Sequence, residues 1–174
     1  MKLYYVRSIT LLFILFLSFA TTPVLAGPVL DFQAVGSGTV TYYGPENCQL
    51  SDTGCTVVTE GTVKGKHIGM GTFTNTVTVL WKSGFPNGSS GYCAPASGTE
   101  TITAADGSTL TAKRVGILCE VGPTGTNGPY TFNGSYFITE GTKRFSEASG
   151  SGVQICSVDT DGNVLGFAHG TIKK

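Results

Sequence analysis

Few side chains in this 174-residue chain are equipped for chemistry, and they are thinly spread. His169, on a terminal alternating segment, could serve beside Gln154 as an acid, a base or a ligand donor. A hydrogen-bonded wall residue is the plainer reading. His67 follows a Lys-Gly-Lys turn and reads as solvated. Glu60, Glu100 and Glu120 could each bring a carboxylate into a pocket for proton transfer, although single glutamates near strand ends are ordinarily surface charges. Phe73, Trp81, Phe85 and Tyr92 are placed to form an aromatic rim, as in ligand-binding barrels. No GxSxG is present, no acid can be assigned to orient either histidine, and there is no phosphate-binding GK(S/T) sequence. Catalytic residues therefore stay unassigned, and no cofactor is expected.

The cysteines offer redox chemistry instead. Cys48, Cys55, Cys93, Cys119 and Cys156 include no CxxC, and no HxxxH accompanies them, so no metal site is expected. An odd count leaves one thiol free or paired with another molecule. Cys48 and Cys55 flank a short turn-rich segment and are the easiest pair to close, worth roughly 2.5 kcal/mol by loop entropy. A Cys93–Cys119 bridge would be worth roughly 3.5 kcal/mol on the same reckoning.

Glycine spacing decides which elements hold these residues. From Gly27 onward the longest glycine-free run is TFTNTVTVLWKS, residues 72–83, and it alternates with β-branched side chains. Only residues 142–149 could otherwise coil. Glycine inside a helix costs about 1 kcal/mol against alanine, so the pattern starves helices and permits short strands. Strands are expected over 32–42, 55–63, 67–81, 99–104, 109–118, 130–139, 150–158 and 164–172. Lys64-Gly65-Lys66, Asp106-Gly107 and Asp161-Gly162 read as tight hairpins. Residues 43–54, 82–98 and 120–129 read as long loops.

If neighbours run antiparallel in order, the three long loops and four cysteines gather at one end. Closure into an eight-stranded antiparallel up-and-down barrel buries the edges most directly. Reading Asp106-Gly107 as a two-residue loop sets Glu100 opposite Lys113 and sends Arg114 to the other face with Thr103, Leu110 and Ala112. Val115 and Ile117 on the face opposite Arg114 then suggest a bulge at Gly116. The same rule at Asp161-Gly162 puts Gln154, Cys156, Phe167 and His169 on one face.

The N-terminus supplies cellular context. Lys2 and Arg7 precede an apolar run over 9–20, and Val24-Leu25-Ala26 gives a small-residue cleavage site. A cleaved signal over 1–26 and one domain over 27–174 are expected, with no membrane span in the mature chain. The protein should be secreted, or periplasmic in a Gram-negative bacterium, where disulfides persist. Without Lys2 and Arg7 the 11 acidic side chains outnumber the basic ones, and the remaining cations are scattered. Nucleic acid is not an expected partner.

The segment over 137–152, FITEGTKRFSEASGSG, resembles the strand, Gly-Thr-x-Arg-Phe turn and small-residue return of allene oxide cyclase-like and dirigent-like barrels. Gly141, Thr142, Arg144 and Phe145 match that pattern, while Glu140 and Lys143 stand where glycines are usual. The resemblance implies an eight-stranded antiparallel barrel with Phe145 tucked under one end and the glycine at positive φ. The families' catalytic residues do not match residue by residue, so no catalytic role is carried over.

A non-catalytic secreted barrel is the leading expectation, holding a small apolar molecule in its lumen or meeting a surface partner through its long loops. Trp81, Phe85, Tyr92, Arg114, Gln154 and His169 are the candidate ligand contacts. A cyclase or isomerase of the kind the resemblance implies, and a structural envelope or extracellular protein with a filled lumen, are the alternatives. An eight-stranded barrel accommodates either a packed core or one small ligand. Oligomeric state is not legible.

Overall fold

The computed structural model describes residues 27–44, 54–87, 91–121 and 128–174. The expected signal segment and Cys48 lie outside them. Strand follows strand as the glycine spacing requires: β1 (Val29–Gly44), β2 (Cys55–Gly65), β3 (Gly69–Val79), β4 (Phe85–Pro86), β5 (Tyr92–Ala104), β6 (Thr109–Glu120), β7 (Tyr130–Gly141), β8 (Ser149–Val158) and β9 (Asn163–Lys173). Each long strand pairs antiparallel with its sequence neighbours, β9 returns to β1, and β3 pairs with β5. Eight long strands thus close into an up-and-down barrel, with β4 a two-residue ribbon on β5. Closure satisfies edge backbone groups that an open sheet would leave exposed.

Both Asp-Gly hairpins differ from the expected two-residue form. Thr103 pairs with Thr109 and Val158 with Val164, one residue out of the expected register. Each loop holds three residues, with Gly107 (φ 72°) and Gly162 (φ 81°) last and in the left-handed region. This is a type I turn followed by a left-handed glycine rather than the primed two-residue turn. Aspartate chelation favours it: Asp106 accepts from Ser108 N, and Asp159 accepts from Asp161 N and Asn163 N.

A one-residue slip exchanges the faces of a strand. Glu100 therefore lies opposite Ala112 and shares the inner face with Arg114, while Lys113 pairs with Thr99. Gln154 pairs with Ala168, which puts His169 and Phe167 on the opposite face from Gln154 and Cys156. No bulge interrupts β6 at Gly116; the register there is continuous, and the irregularity falls at Thr139 on β7. Val115 is accordingly 56% exposed on the outer wall.

The expected loop over 82–98 also contracts. Strand β5 begins at Tyr92, and Pro95 pairs with Ile117 while its carbonyl accepts from Leu80 N. Strand β3 stops at Val79, and Trp81 enters a short 3-10 turn, Trp81–Ser83.

The outer wall has two characters. Strands β2, β3 and β5 present Thr62, Thr72, Thr74, Thr76, Thr99 and Thr103 to solvent. Strands β6 to β9 and β1 present Val115, Phe137, Val153, Ile155, Phe167 and Val35.

The hairpin end is plugged. Phe145, in the 3-10 turn Lys143–Phe145, is 1% exposed and packs with Ile68, Ile172 and Ile138. Thr142 N donates to Thr109 O, and Thr109 N donates back to the Thr142 hydroxyl. Arg144 donates from Nη2 to Ile68 O at 2.7 Å, pairs through Nε with Asp106 at 3.0 Å, and covers the Phe145 ring. Gly141 does not take the expected positive φ; it is needed because a Cβ there would run into the Phe145 carbonyl. Lys143 takes the left-handed conformation instead, at φ 50°.

Candidate functional site

Inward positions stack in three levels. The floor is apolar, built on Phe32, Val63, Phe73, Ile102, Leu110 and Ile138. The upper level, Val77, Val79, Trp81, Ala94, Ala96 and Phe132, is apolar as well. Between them runs a polar belt: Thr59 on β2, Asn75 on β3, Glu100 on β5, Arg114 on β6, and Gln154 and Cys156 on β8.

A cavity of about 490 Å³ occupies the lumen and is lined by residues of all three levels. That volume lies in the ordinary range for small-molecule pockets. Its lining reaches Tyr43, Trp81, Tyr130, Thr160 and Gly162, so it extends toward the end opposite the Phe145 plug. Two strands leave room for it. Gly36 on β1 and Gly166 on β9 are paired with each other and both line the cavity, where neither has a side chain to fill it.

Hydrogen bonds tie the belt together. Arg114 is 3% exposed, and its Nε lies 3.6 Å from Glu100 Oε2, an ion pair beyond hydrogen-bond length. Its Nη2 donates to Cys156 Sγ at 3.4 Å, and its guanidinium lies 4.7 Å from the centre of the Phe132 ring. Gln154 Nε2 donates to Glu100 Oε2 at 3.1 Å, and Asn75 Nδ2 donates to Thr59 Oγ1 at 3.2 Å.

Polar atoms of the cavity lining are left unpaired. Asn75 Oδ1, Arg114 Nε and Tyr136 OH are buried without a hydrogen-bond partner, and all three residues line the cavity. A fourth such atom among the described residues, His67 Nε2, belongs to the β2–β3 loop. Burial, with a contribution from Asp31, pushes the Tyr136 phenol up to about 12, so it stays protonated at neutral pH. Burial also raises the Cys156 thiol, against an opposing pull from Arg114. Cys156 is a free thiol.

The expected site residues separate accordingly. Arg114, Gln154 and Trp81 line the lumen. Tyr92 sits beside Trp81, ring centres 6.4 Å apart, and donates from its hydroxyl to Trp81 O. Phe85 is exposed on β4, and Phe73 belongs to the floor. His169 is on the outer wall, 3.4 Å from Asp31 Oδ1. Of the three glutamates only Glu100 lines the cavity; Glu60 is exposed, and Glu120 is buried at the end of β6.

Cys93 and Cys119 are direct partners on β5 and β6 and form a disulfide. Cys55 is disulfide-bonded too; the expected partner, Cys48, lies outside the described residues. No group of three metal-ligating side chains occurs among the described residues.

Asn75, Tyr136 and Cys156 were not legible as site residues. One signal was available: Asn75 is the single polar member of the inward series Phe73, Asn75, Val77, Val79. Comparison of the chain with protein-family models, curated proteins and solved structures finds no match in any of them.

Proposed function

We propose that this protein is an exported barrel, extracellular or periplasmic, that holds a small, largely apolar molecule in its lumen. The cavity of about 490 Å³ carries the proposal, because a purely structural barrel of eight strands fills its interior with side chains. The disulfide between Cys93 and Cys119 supports an oxidising compartment, and no described helix is long and apolar enough to cross a membrane. Trp81, the only tryptophan of the chain, lines the cavity and reports its occupancy. Titration with decan-1-ol or with the neutral dye Nile red should change Trp81 emission saturably, at one equivalent per chain. Absence of saturable binding by both would remove the reading.

A cyclase or isomerase, as the allene oxide cyclase-like resemblance implies, is the second reading. Glu100 favours it, as a lumenal carboxylate able to exchange a proton with a bound molecule. Recovery of a chemically altered molecule from the lumen, lost in Glu100→Gln, would support turnover over storage.

A further inference from the structure

We infer that the lumen selects a neutral molecule, an apolar body bearing one hydroxyl or carbonyl group, over a carboxylate of the same skeleton. This rests on the reading of the lumen as a binding site and adds the chemistry of its ligand.

Two observations carry it. The first is the set of unpartnered atoms: Asn75 Oδ1 is an acceptor, Arg114 Nε a donor, and Tyr136 OH either. Asn75, Arg114 and Tyr136 are 6%, 3% and 4% exposed, so bulk water does not compensate them. Buried polar groups left unpaired are costly, and a compact group able both to donate and to accept relieves the cost. A hydroxyl can both donate and accept, whereas a carbonyl can only accept.

The second observation is charge. Arg114 and Glu100 are an ion pair, and the one other charged residue among the described lining, Asp159, is acidic and lies with the hairpin at the rim. A carboxylate drawn to Arg114 would therefore lose its hydration and meet Glu100 at close range, with no uncompensated positive charge to receive it. Gln154 reinforces this by donating to Glu100, which holds the glutamate in the belt. The apolar floor and upper level then accept the body of the ligand.

The test compares decan-1-ol, decanoate and decane, read by Trp81 emission and native mass spectrometry at about pH 7. Decan-1-ol should bind about tenfold or more tighter than decanoate, and tighter than decane. Glu100→Gln leaves Arg114 uncompensated and should reverse the order of alcohol and carboxylate. Decanoate binding the wild-type protein as tightly as the alcohol, or an unchanged order in Glu100→Gln, would overturn the inference while leaving a binding lumen. Saturable binding of none of the three would overturn the lumen itself. If Glu100→Gln fails to fold, Asn75→Leu provides a second variant, expected to shrink the preference for decan-1-ol over decane. An undiminished preference there would count against the inference.

Discussion

Gly36 on β1 and Gly166 on β9 stand directly opposite each other in the ladder, and both face the lumen. They differ in kind from Gly38 and Gly61, where a Cβ would run into the carbonyls of Glu60 and Ser37. At Gly166 an added Cβ meets Cys156 Sγ at 3.2 Å and Ile155 O at 3.9 Å, and at Gly36 the Phe73 ring at 3.3 Å and Thr62 O at 3.5 Å. These two glycines create space; the others permit strand packing. Gly166→Val should therefore leave stability within about 1 kcal/mol while weakening probe binding by tenfold or more. Gly38→Val should cost about 3 kcal/mol or more. Thermal melts of both variants, with decan-1-ol titration of the first, check the contrast.

Lys143 holds a left-handed conformation that costs a non-glycine residue about 1–2 kcal/mol. Its ammonium recovers part through a 3.2 Å hydrogen bond to Asp106 O on the exposed surface. Lys143→Gly should raise the melting temperature by about 2–4 °C, corresponding to about 1 kcal/mol. An unchanged or lower midpoint would show that the lysine contact outweighs the backbone strain.

Acid should weaken the hairpins. Asp106 is held below its ordinary value of 3.8, chiefly by the hydrogen bond from Ser108 N. Asp159 is held low chiefly by the Asn163 side chain. A carboxyl group whose value falls on folding stabilises above its unfolded pKa and loses that contribution as pH falls through the folded one. The melting-temperature gap between wild type and Asp106→Asn should therefore be full near pH 6 and close below about 3.8. Circular-dichroism melts across that range would reveal a constant gap if the carboxylate charge were irrelevant.

The Cys156 thiol is half-buried in the belt, and burial pushes its pKa up. Iodoacetamide should alkylate the folded protein about tenfold or more slowly than the unfolded chain at pH 8, and decan-1-ol should slow it further. Insensitivity to decan-1-ol would place the bound molecule away from the belt.

The number of long strands, their order and the end that gathers the long loops were all legible, because alternation and glycine punctuation are local signals. Facing was not. It depends on whether Asp-Gly occupies a two- or a three-residue loop, and the two forms share the same dipeptide. That ambiguity moved Glu100 into the lumen and His169 out of it. The first half of β5 was obscured by Pro95 and its small neighbours, whose strand form is fixed by pairing with β6 and by the Leu80 contact. Arg114 and Gln154 were recognisable as candidates. The cavity beside them depends on volumes summed across eight strands, which no local pattern records.

Strand β1 starts where β9 finishes: Val29 pairs with Lys173, at the end closed by Phe145 and away from the Trp81 rim. Anything joined before Val29 or after Lys173 departs from beneath the barrel. A barrel tethered by either terminus stands like a cup on its base, with its opening turned toward the surrounding solution. Coupling to a sensor surface through a terminal tag therefore leaves ligand entry unobstructed.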